Sequence, residues 1–450
     1  MNFFARAKYN AITAWVRSAL TTYYTPITIR NREGLREERP FIVVTNHPNT
    51  LSDVVLTVVH GYRPIYLLAN AGLFRYKLSA WFFNQVYCIP IQRKQDVKRK
   101  GTSNNRKNIN RVIEHLLQGG AMYIAPEGSS WLEWHLRPLK TGVSRIAFQT
   151  ANAANFDTDL VIIPLGFTYE DGSSFRTGVH LEVGSAIELR NYKSLFDHDP
   201  KEAQRTLMGD IKEGLTNCML HTNDQFQEVL LQQLGRLAQE ENALEPMAQY
   251  DRQQRLLKIL TQWEEHDAST YYSFLASSQY IQGILKSVDL RWADWLATEY
   301  HSSTKRNSFL AWPIACWGAI NHLLPWGIPF WIDRQFNQDR TFSSTFKITA
   351  SLITVPLFYV LQALLFNALL PIHWAWTILY VVSLAPAGKF AFSFYQNWKQ
   401  QQAIRRARSL EGSFLEQELR NFRQDLLQKL HESILLQPTT IPEKKKKLTR

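Results

Sequence analysis

An α/β domain with a largely parallel central sheet flanked by helices, followed by a helical segment and membrane helices, is the fold class this sequence predicts. Three observations predict it. Between Phe41 and about Leu215, short β-branched or aromatic runs alternate with helical stretches. From 220 to 302 the strand signal disappears, and Gln, Glu, Leu, Ala and Arg dominate. From 309 to 388 the apolar residues gather into long, nearly uncharged runs.

The elements follow in order. Over residues 3–24, Phe4, Ile12, Trp15, Val16, Ala19, Leu20 and Tyr23 fall close to helical spacing, and the first acidic residue is Glu33. This is the pattern of a basic amphipathic helix lying in the membrane interface, assigned to the segment 1–30, with packing on the domain as the alternative. Arg6, Lys8 and Arg17 interrupt any secretory core, and no small-residue cleavage site follows one. Within an α/β domain at 31–215, strands are expected at 41–45, 64–69, 86–91, 121–125 and 160–169. Helices are expected near 52–60, 74–83, 107–117 and 141–153. The run VIIPLGF is apolar on both faces, as a central buried strand should be. The segment 216–302, with stretches such as FQEVLLQQLGRLAQ, reads as a helical insert or cap.

The region 308–390 is the membrane part. Its run 309–332 carries Pro313, Pro325 and Pro329, with Asn321 and His322 in the middle. Its second run, 348–388, is split near Pro371-Ile372-His373. A span needs about 20 apolar residues, so the second run makes a hairpin of two. Lys305 and Arg306 precede the region, and Lys389, Lys399, Arg405, Arg406 and Arg408 follow the hairpin. Basic flanks kept on the cytoplasmic side require an even number of crossings. The proline-broken first run is then re-entrant or interfacial, with three full crossings as the alternative. Asn321, His322 and His373 read as helix-pairing or interfacial-loop residues, and the tryptophans of this region as interface anchors. The segment 395–450 holds an amphipathic helix over 397–436, expected to lie on lipid or to pair with a second copy in a homodimer. The polybasic tail EKKKKLTR is drawn to anionic lipid. The α/β domain is placed on the cytoplasmic side of the membrane.

Lysine and arginine total 51 against 39 acidic residues, a net charge of +12. Such a balance suits nucleic acid, an anionic membrane or phosphorylated substrates. The membrane runs favour the last two, and no RNP-like sequence or metal-knuckle spacing supports nucleic acid as a partner. Cys88, Cys218 and Cys316 lie far apart, without a disulfide or zinc pattern, so the globular part is expected in a reducing compartment.

The chemistry begins at FIVVTNHPNTLSD. Here a strand releases Asn46 and His47, a turn follows at Pro48-Asn49, and a helix starts near Ser52. Polar residues at the carboxyl end of a strand in an α/β sheet stand where ligands bind. An Asp six positions after a His, across one turn, can fix the imidazole tautomer and leave the other nitrogen as a base. By itself this is a weak signal, because most such pairs are a loop residue and a helix N-cap.

The order of segments adds specificity. NHPNTLSD, VYCIPIQR, APEGSS and VIIPLG resemble, in sequence, the four blocks of the glycerolipid acyltransferases. The usual first block of that family is NH-x4-D. The longer H-x5-D here resembles the branch holding fungal glycerol-3-phosphate and dihydroxyacetone-phosphate acyltransferases. The resemblance covers roughly residues 38–170 and implies a glycerol-3-phosphate acyltransferase-like fold. It implies transfer of a fatty acyl group to glycerol 3-phosphate, dihydroxyacetone phosphate or a lysophospholipid. No cofactor is implied beyond the thioester co-substrate, acyl-CoA or acyl carrier protein, and no metal. His47 and Asp53 would be the catalytic pair. Asn46, Arg93, Glu127, Gly128, Ser129 and Lys140 would line the substrate site, with Arg93 and Lys140 on the phosphate. Ser129-Ser130-Trp131 stand where the family often has an arginine after the glycine. The competing readings are a non-catalytic lipid-binding protein on the same fold and a metal-dependent phosphoesterase. No further His and Asp cluster supports the latter.

Overall fold

The computed structural model describes residues 3–71, 77, 88–91, 105–237, 245–299, 311–370 and 373–435. Packing divides the chain into two units, Met1–Asn223 with Pro313–Ala391, and Asp224–Trp312 with Phe392–Arg450.

The first unit is built on one mixed sheet. Its described strands are β1 (Tyr24–Arg30), β2 (Phe41–Thr45), β3 (Ile65–Asn70), β4 (Cys88–Ile91), β5 (Ala121–Ile124), β6 (Val161–Tyr169), β7 (Thr177–Val183) and β8 (Ile187–Glu188). They lie in the order β1-β7-β6-β2-β5-β3-β4, with β8 beside β6. Every pairing is parallel except β6 with β7 and β6 with β8. Strand β2 sits at the centre and shows why the sheet is covered on both sides. Phe41 and Val43 face one core with Leu56, Tyr123 and Phe167, while Ile42 and Val44 face another with Val143, Phe148 and Ile211. All five residues of β2 and all nine of β6 are buried, as continuous apolar runs in a doubly covered sheet require.

Helices α1 (Phe3–Tyr23) and α2 (Thr50–His60) cover the first face; α3 (Asn105–Leu117), α4 (Gly142–Ala153), α5 (Lys193–His198) and α6 (Pro200–Asn217) belong to the second. The expected strands and helices from 41 to 169 are present wherever the residues are described; the helix expected at 74–83 lies outside the described residues.

Three differences from the sequence reading have physical causes. The amphipathic segment 1–30 ends as helix at Tyr23, and residues 24–30 form an edge strand parallel to β7. Pro26 is tolerated there because it falls at an edge, within a register shift between Tyr24 and Ile27. The inner face of α1 packs on the domain through Leu20 and Tyr23, leaving Trp15 outside. Strand β7, not expected, gains its place as the antiparallel neighbour of the buried β6.

His221, just beyond α6, is held neutral. Burial drives its imidazole down to about 4, helped by the nearby His135, and its Nδ1 accepts the N–H of Leu136 at 3.2 Å. An unfolded imidazole titrates near 6.5. The contribution to stability is therefore full above that pH and is lost as pH falls towards 4. The thermal midpoint of the wild type should drop across this window more steeply than that of His221→Asn, which keeps an acceptor for Leu136. Equal slopes would remove His221 from the acid response.

The remaining helices of the first unit include α11 (Trp312–Phe336), α12 (Ser343–Leu369) and the first half of α13 (Trp374–Arg408). Among the described residues, Arg340–Leu369 and Trp374–Arg408 are by length and composition apolar enough to cross a membrane. Large apolar side chains such as Ile353, Leu357, Leu364, Leu379 and Val382 are exposed along it. Contrary to expectation, the prolines do not break the first run. Pro325 and Pro329 lack the N–H groups that would bond the carbonyls of Asn321 and Pro325. Gln362 Nε2 donates to the Asn321 carbonyl at 2.6 Å, and Thr354 Oγ1 to the Pro325 carbonyl at 3.0 Å. Both orphaned acceptors are thus satisfied from α12, and the helix continues. Tyr380 donates to Asn321 Oδ1 at 2.7 Å, and His322 Nε2 meets the Tyr359 hydroxyl at 2.8 Å. Asn321 and His322 accordingly join three helices.

The second unit is helical, with α7 (Gln225–Leu237), α8 (Pro246–His266), α9 (Ala268–Ser287), α10 (Trp292–Glu299) and α14 (Phe414–Leu435). The helix expected across 397–436 is interrupted after Arg408, with Gly412 at φ +75° in the break. Leu419, Phe422, Leu426 and Leu430 are buried, with Phe422 edge-on to Trp292 and Lys429 bonded to Asp267. These four residues of the apolar face are used inside the unit, while Phe414 at its start is exposed.

Candidate active site

The site forms where two parallel strands end side by side. Phe41 pairs with Ala121 and Val44 with Ile124, so continuing the register past the strand ends sets His47 against Glu127. The geometry bears this out: Glu127 Oε1 accepts the backbone N–H of His47 at 2.7 Å. The carbonyl of His47 in turn accepts from Trp131 N at 3.2 Å. Both backbone polar groups of His47 are thereby fixed by the loop after β5.

The imidazole meets its expected partner. His47 Nδ1 lies 3.0 Å from Asp53 Oδ2, with the Asp53 side chain fully buried and that of His47 14% exposed. A buried carboxylate is stable only with its lone pairs occupied. Asp53 Oδ2 also accepts the N–H of Asn49 at 2.8 Å, and Oδ1 accepts the Tyr169 hydroxyl at 2.6 Å. The position in the first turn of α2 adds the favourable end of the helix dipole. Burial and the Asp53 charge hold the Tyr169 phenol far above its ordinary range, so it stays a donor. Nε2 of His47 is the ring nitrogen that Asp53 does not engage.

The turn between His47 and Asp53 is held in an uncommon conformation. Thr50 has φ +23°, an uncommon conformation for a β-branched residue, and such residues persist only where their surroundings hold them. Asn49 is fully buried, donating from Nδ2 to Tyr24 Oη at 2.8 Å and to the Gly172 carbonyl at 2.7 Å.

The other expected residues divide by what their side chains touch. Asn46 is buried and spends both ends of its amide on the backbone of Phe167, at 2.9 and 2.7 Å. It ties β2 to β6 and does not present its amide to a substrate. Glu127 is also buried, and its Oε2 accepts the N–H of Arg137 at 3.0 Å. Each oxygen holds a backbone amide, so Glu127 positions the loop rather than offering a free acceptor to a hydroxyl. Burial keeps its carboxyl above the ordinary range against the pull of those amides. Gly128 adopts φ +72°, and a Cβ there would come within 2.5 Å of Lys140 Nζ. The ammonium of Lys140 therefore lies over the glycine beside the His47 loop, just before α4 begins. Ser129 is exposed and accepts from Trp131 Nε1 at 3.1 Å. Arg137 stacks over the Trp131 ring at 4.5 Å. Arg93 and most of the basic loop behind it lie outside the described residues. Among the described residues, no group of three or more His, Cys, Asp or Glu is arranged to hold a metal ion.

Sequence reasoning missed Asn49, Tyr24 and Tyr169. Tyr169 had a signal of its own: a hydroxyl at the end of an otherwise apolar, buried strand must find a partner.

The chain is similar to known acyltransferases over part of its length. The family model described as Acyltransferase matches residues 26–168, from β1 to the end of β6. Glycerol-3-phosphate O-acyltransferase 2 of Saccharomyces cerevisiae is 29% identical over 136 residues, 30% of this chain and 18% of that protein. An uncharacterized acyltransferase of Schizosaccharomyces pombe is 28% identical over 130 residues, 28% of this chain and 19% of that protein. The chain thus matches less than a fifth of the length of these two curated relatives. The crystal structure of the 1-acyl-sn-glycerophosphate (LPA) acyltransferase PlsC from Thermotoga maritima aligns with a TM-score of 0.35 at 16% identity, covering 47% of this chain and 81% of that one. Residues 26–168, which carry His47, Asp53 and Glu127, are a domain of the acyltransferase family.

Proposed function

We propose that the protein transfers a fatty acyl group from a thioester to the hydroxyl of glycerol 3-phosphate, dihydroxyacetone phosphate or lysophosphatidic acid at a membrane, with His47 as general base. The observation that carries this reading is the partly exposed imidazole whose Nδ1 is engaged by a fully buried carboxylate. With the proton held on Nδ1, Nε2 keeps a lone pair for the acceptor hydroxyl. As that proton moves to Nε2, the hydroxyl oxygen forms its bond to the thioester carbonyl carbon. The C–S bond then breaks, and the imidazolium returns the proton to the leaving thiolate. No enzyme nucleophile is required, because the substrate hydroxyl itself attacks.

Lys140, over Gly128, is suited to the phosphate of the acceptor, and Arg93 is proposed for the same anion. The exposed apolar hairpin suits a protein whose product belongs in lipid. The α/β domain is proposed to face the cytoplasm. The test is one assay on the purified full chain in lipid nanodiscs. Labelled acyl-CoA and acyl carrier protein are each offered against the three acceptors. Turnover of at least one pair is expected. Binding of lysophospholipid with no turnover of any pair would replace this reading with that of a non-catalytic lipid-binding protein.

A further inference from the structure

Helix α12, one of the two stretches long enough to cross a membrane, plants its first turn directly on the catalytic turn. Ser344 is fully buried. Its hydroxyl donates to Asn49 Oδ1 at 2.6 Å and lies 2.9 Å from Ser52 Oγ. Thr345 Oγ1 lies 2.8 Å from Thr50 Oγ1, which also donates to the carbonyl of Thr341 at 3.0 Å. Asn49, Thr50 and Ser52 all lie between His47 and Asp53, and each is held by residues nearly 300 positions further along the chain. The core under this contact is continuous, since Ile348 and Leu352 of α12 pack with Val16, Leu20 and Tyr23 of α1 and Leu56 of α2.

The contact reaches the dyad through one residue. Asn49 receives Ser344 on its side chain, while its backbone N–H donates to Asp53 Oδ2. That same oxygen engages His47 Nδ1. Thr50, with its positive φ, is fixed between Thr341 and Thr345, so the longer His-to-Asp spacing is also held by this helix foot. We propose that Ser344 is a positioning residue for the His47–Asp53 pair, so that seating of the membrane hairpin on the domain sets the geometry of catalysis. This rests on the acyl-transfer reading above.

A hydrogen bond that only orients the carboxylate should be read in turnover and not in substrate binding. In nanodiscs, Ser344→Ala should lower kcat about tenfold, with KM for donor and acceptor unchanged and the thermal midpoint within a degree or two of wild type. Ser344→Thr, which keeps the hydroxyl, should recover most of the loss. Ser343→Ala is the control, because Ser343 bonds away from the turn to Asp333 at 2.6 Å, and it should keep full activity. If Ser344→Ala fails to accumulate, Thr345→Val tests the same contact through Thr50 and should show the same split. An active wild type beside a Ser344→Ala enzyme within twofold of it would overturn the proposal and leave the acyl-transfer reading intact. A kcat loss shared equally by Ser343→Ala would assign Ser344 a merely structural role. No turnover by wild type on any pair would overturn the acyl-transfer reading itself.

Discussion

His47→Ala should lower acyl transfer by about 100- to 10,000-fold, the range one general base supplies, while leaving the fold intact. The two halves of that expectation have separate grounds. In the proposed reaction the imidazole acts through Nε2, because Nδ1 is committed to Asp53 at 3.0 Å. The backbone of residue 47, which fixes the loop, does not depend on the side chain. Its N–H bonds Glu127 and its carbonyl accepts from Trp131 whatever the residue. Removing the ring leaves Asp53 with Asn49 and Tyr169 still donating, so the buried carboxylate keeps two of its partners. The loss should fall in kcat more than in KM, since Lys140 and Arg93, not His47, are the groups proposed to hold the phosphate. Steady-state kinetics with the best donor and acceptor pair, beside a circular dichroism spectrum, separates the cases. Activity within tenfold of wild type in a folded His47→Ala protein would mean that another group takes the proton.

How much of this site was legible in the sequence depends on the scale of the signal. Strands β2, β5 and β6 were legible because each is a continuous apolar run bounded by turn residues. The pair His47 and Asp53 was a weak signal by its spacing alone and became legible through the ordered segments that follow it, VYCIPIQR, APEGSS and VIIPLG. Strand β1 was not, because YTPITIR directly follows an amphipathic helix and contains a proline. What makes it a strand is its partner β7, some 150 residues away. Asn46 and Glu127 were identified as site residues, but their roles were not. A polar residue at a strand end looks the same whether it faces a substrate or a neighbouring backbone, and only the tertiary register distinguishes them. Ser344 and Tyr24 carried no local signal at all. Each is one of several neighbouring hydroxyls in its segment, made important by the buried Asn49 that it meets. The prolines of α11 misled for a related reason. Their effect on a lone helix is to break it, and the side chains that compensate belong to a different helix.

Asp53→Asn should reduce kcat by an order of magnitude comparable to His47→Ala, although the change removes only one charge and adds no volume. Asp53 in its native form accepts from three donors: His47 Nδ1, Asn49 N and Tyr169 Oη. An amide in the same place has one oxygen to accept and one NH2 that must donate. If the oxygen keeps Tyr169, the NH2 points at His47 Nδ1 and the Asn49 N–H. The imidazole can meet an NH2 only by making Nδ1 an acceptor, which moves its proton to Nε2 and removes the lone pair that would take the substrate proton. If the oxygen instead keeps Asn49 and His47, the NH2 faces the Tyr169 hydroxyl, which must turn into an acceptor inside a fully buried site. The first arrangement disables the base, and the second withdraws the negative charge that stabilises the imidazolium. In Ser-His-Asp proteases the same carboxylate-to-amide change lowers kcat by about 10,000-fold while preserving geometry, and an upper bound near that value is expected here. The discriminating measurement is kcat for Asp53→Asn and the His47→Ala, Asp53→Asn double variant. Two groups acting as one unit give losses far from additive, so the double variant should be little worse than His47→Ala alone. Fully additive losses would show that Asp53 acts on the reaction independently of the imidazole.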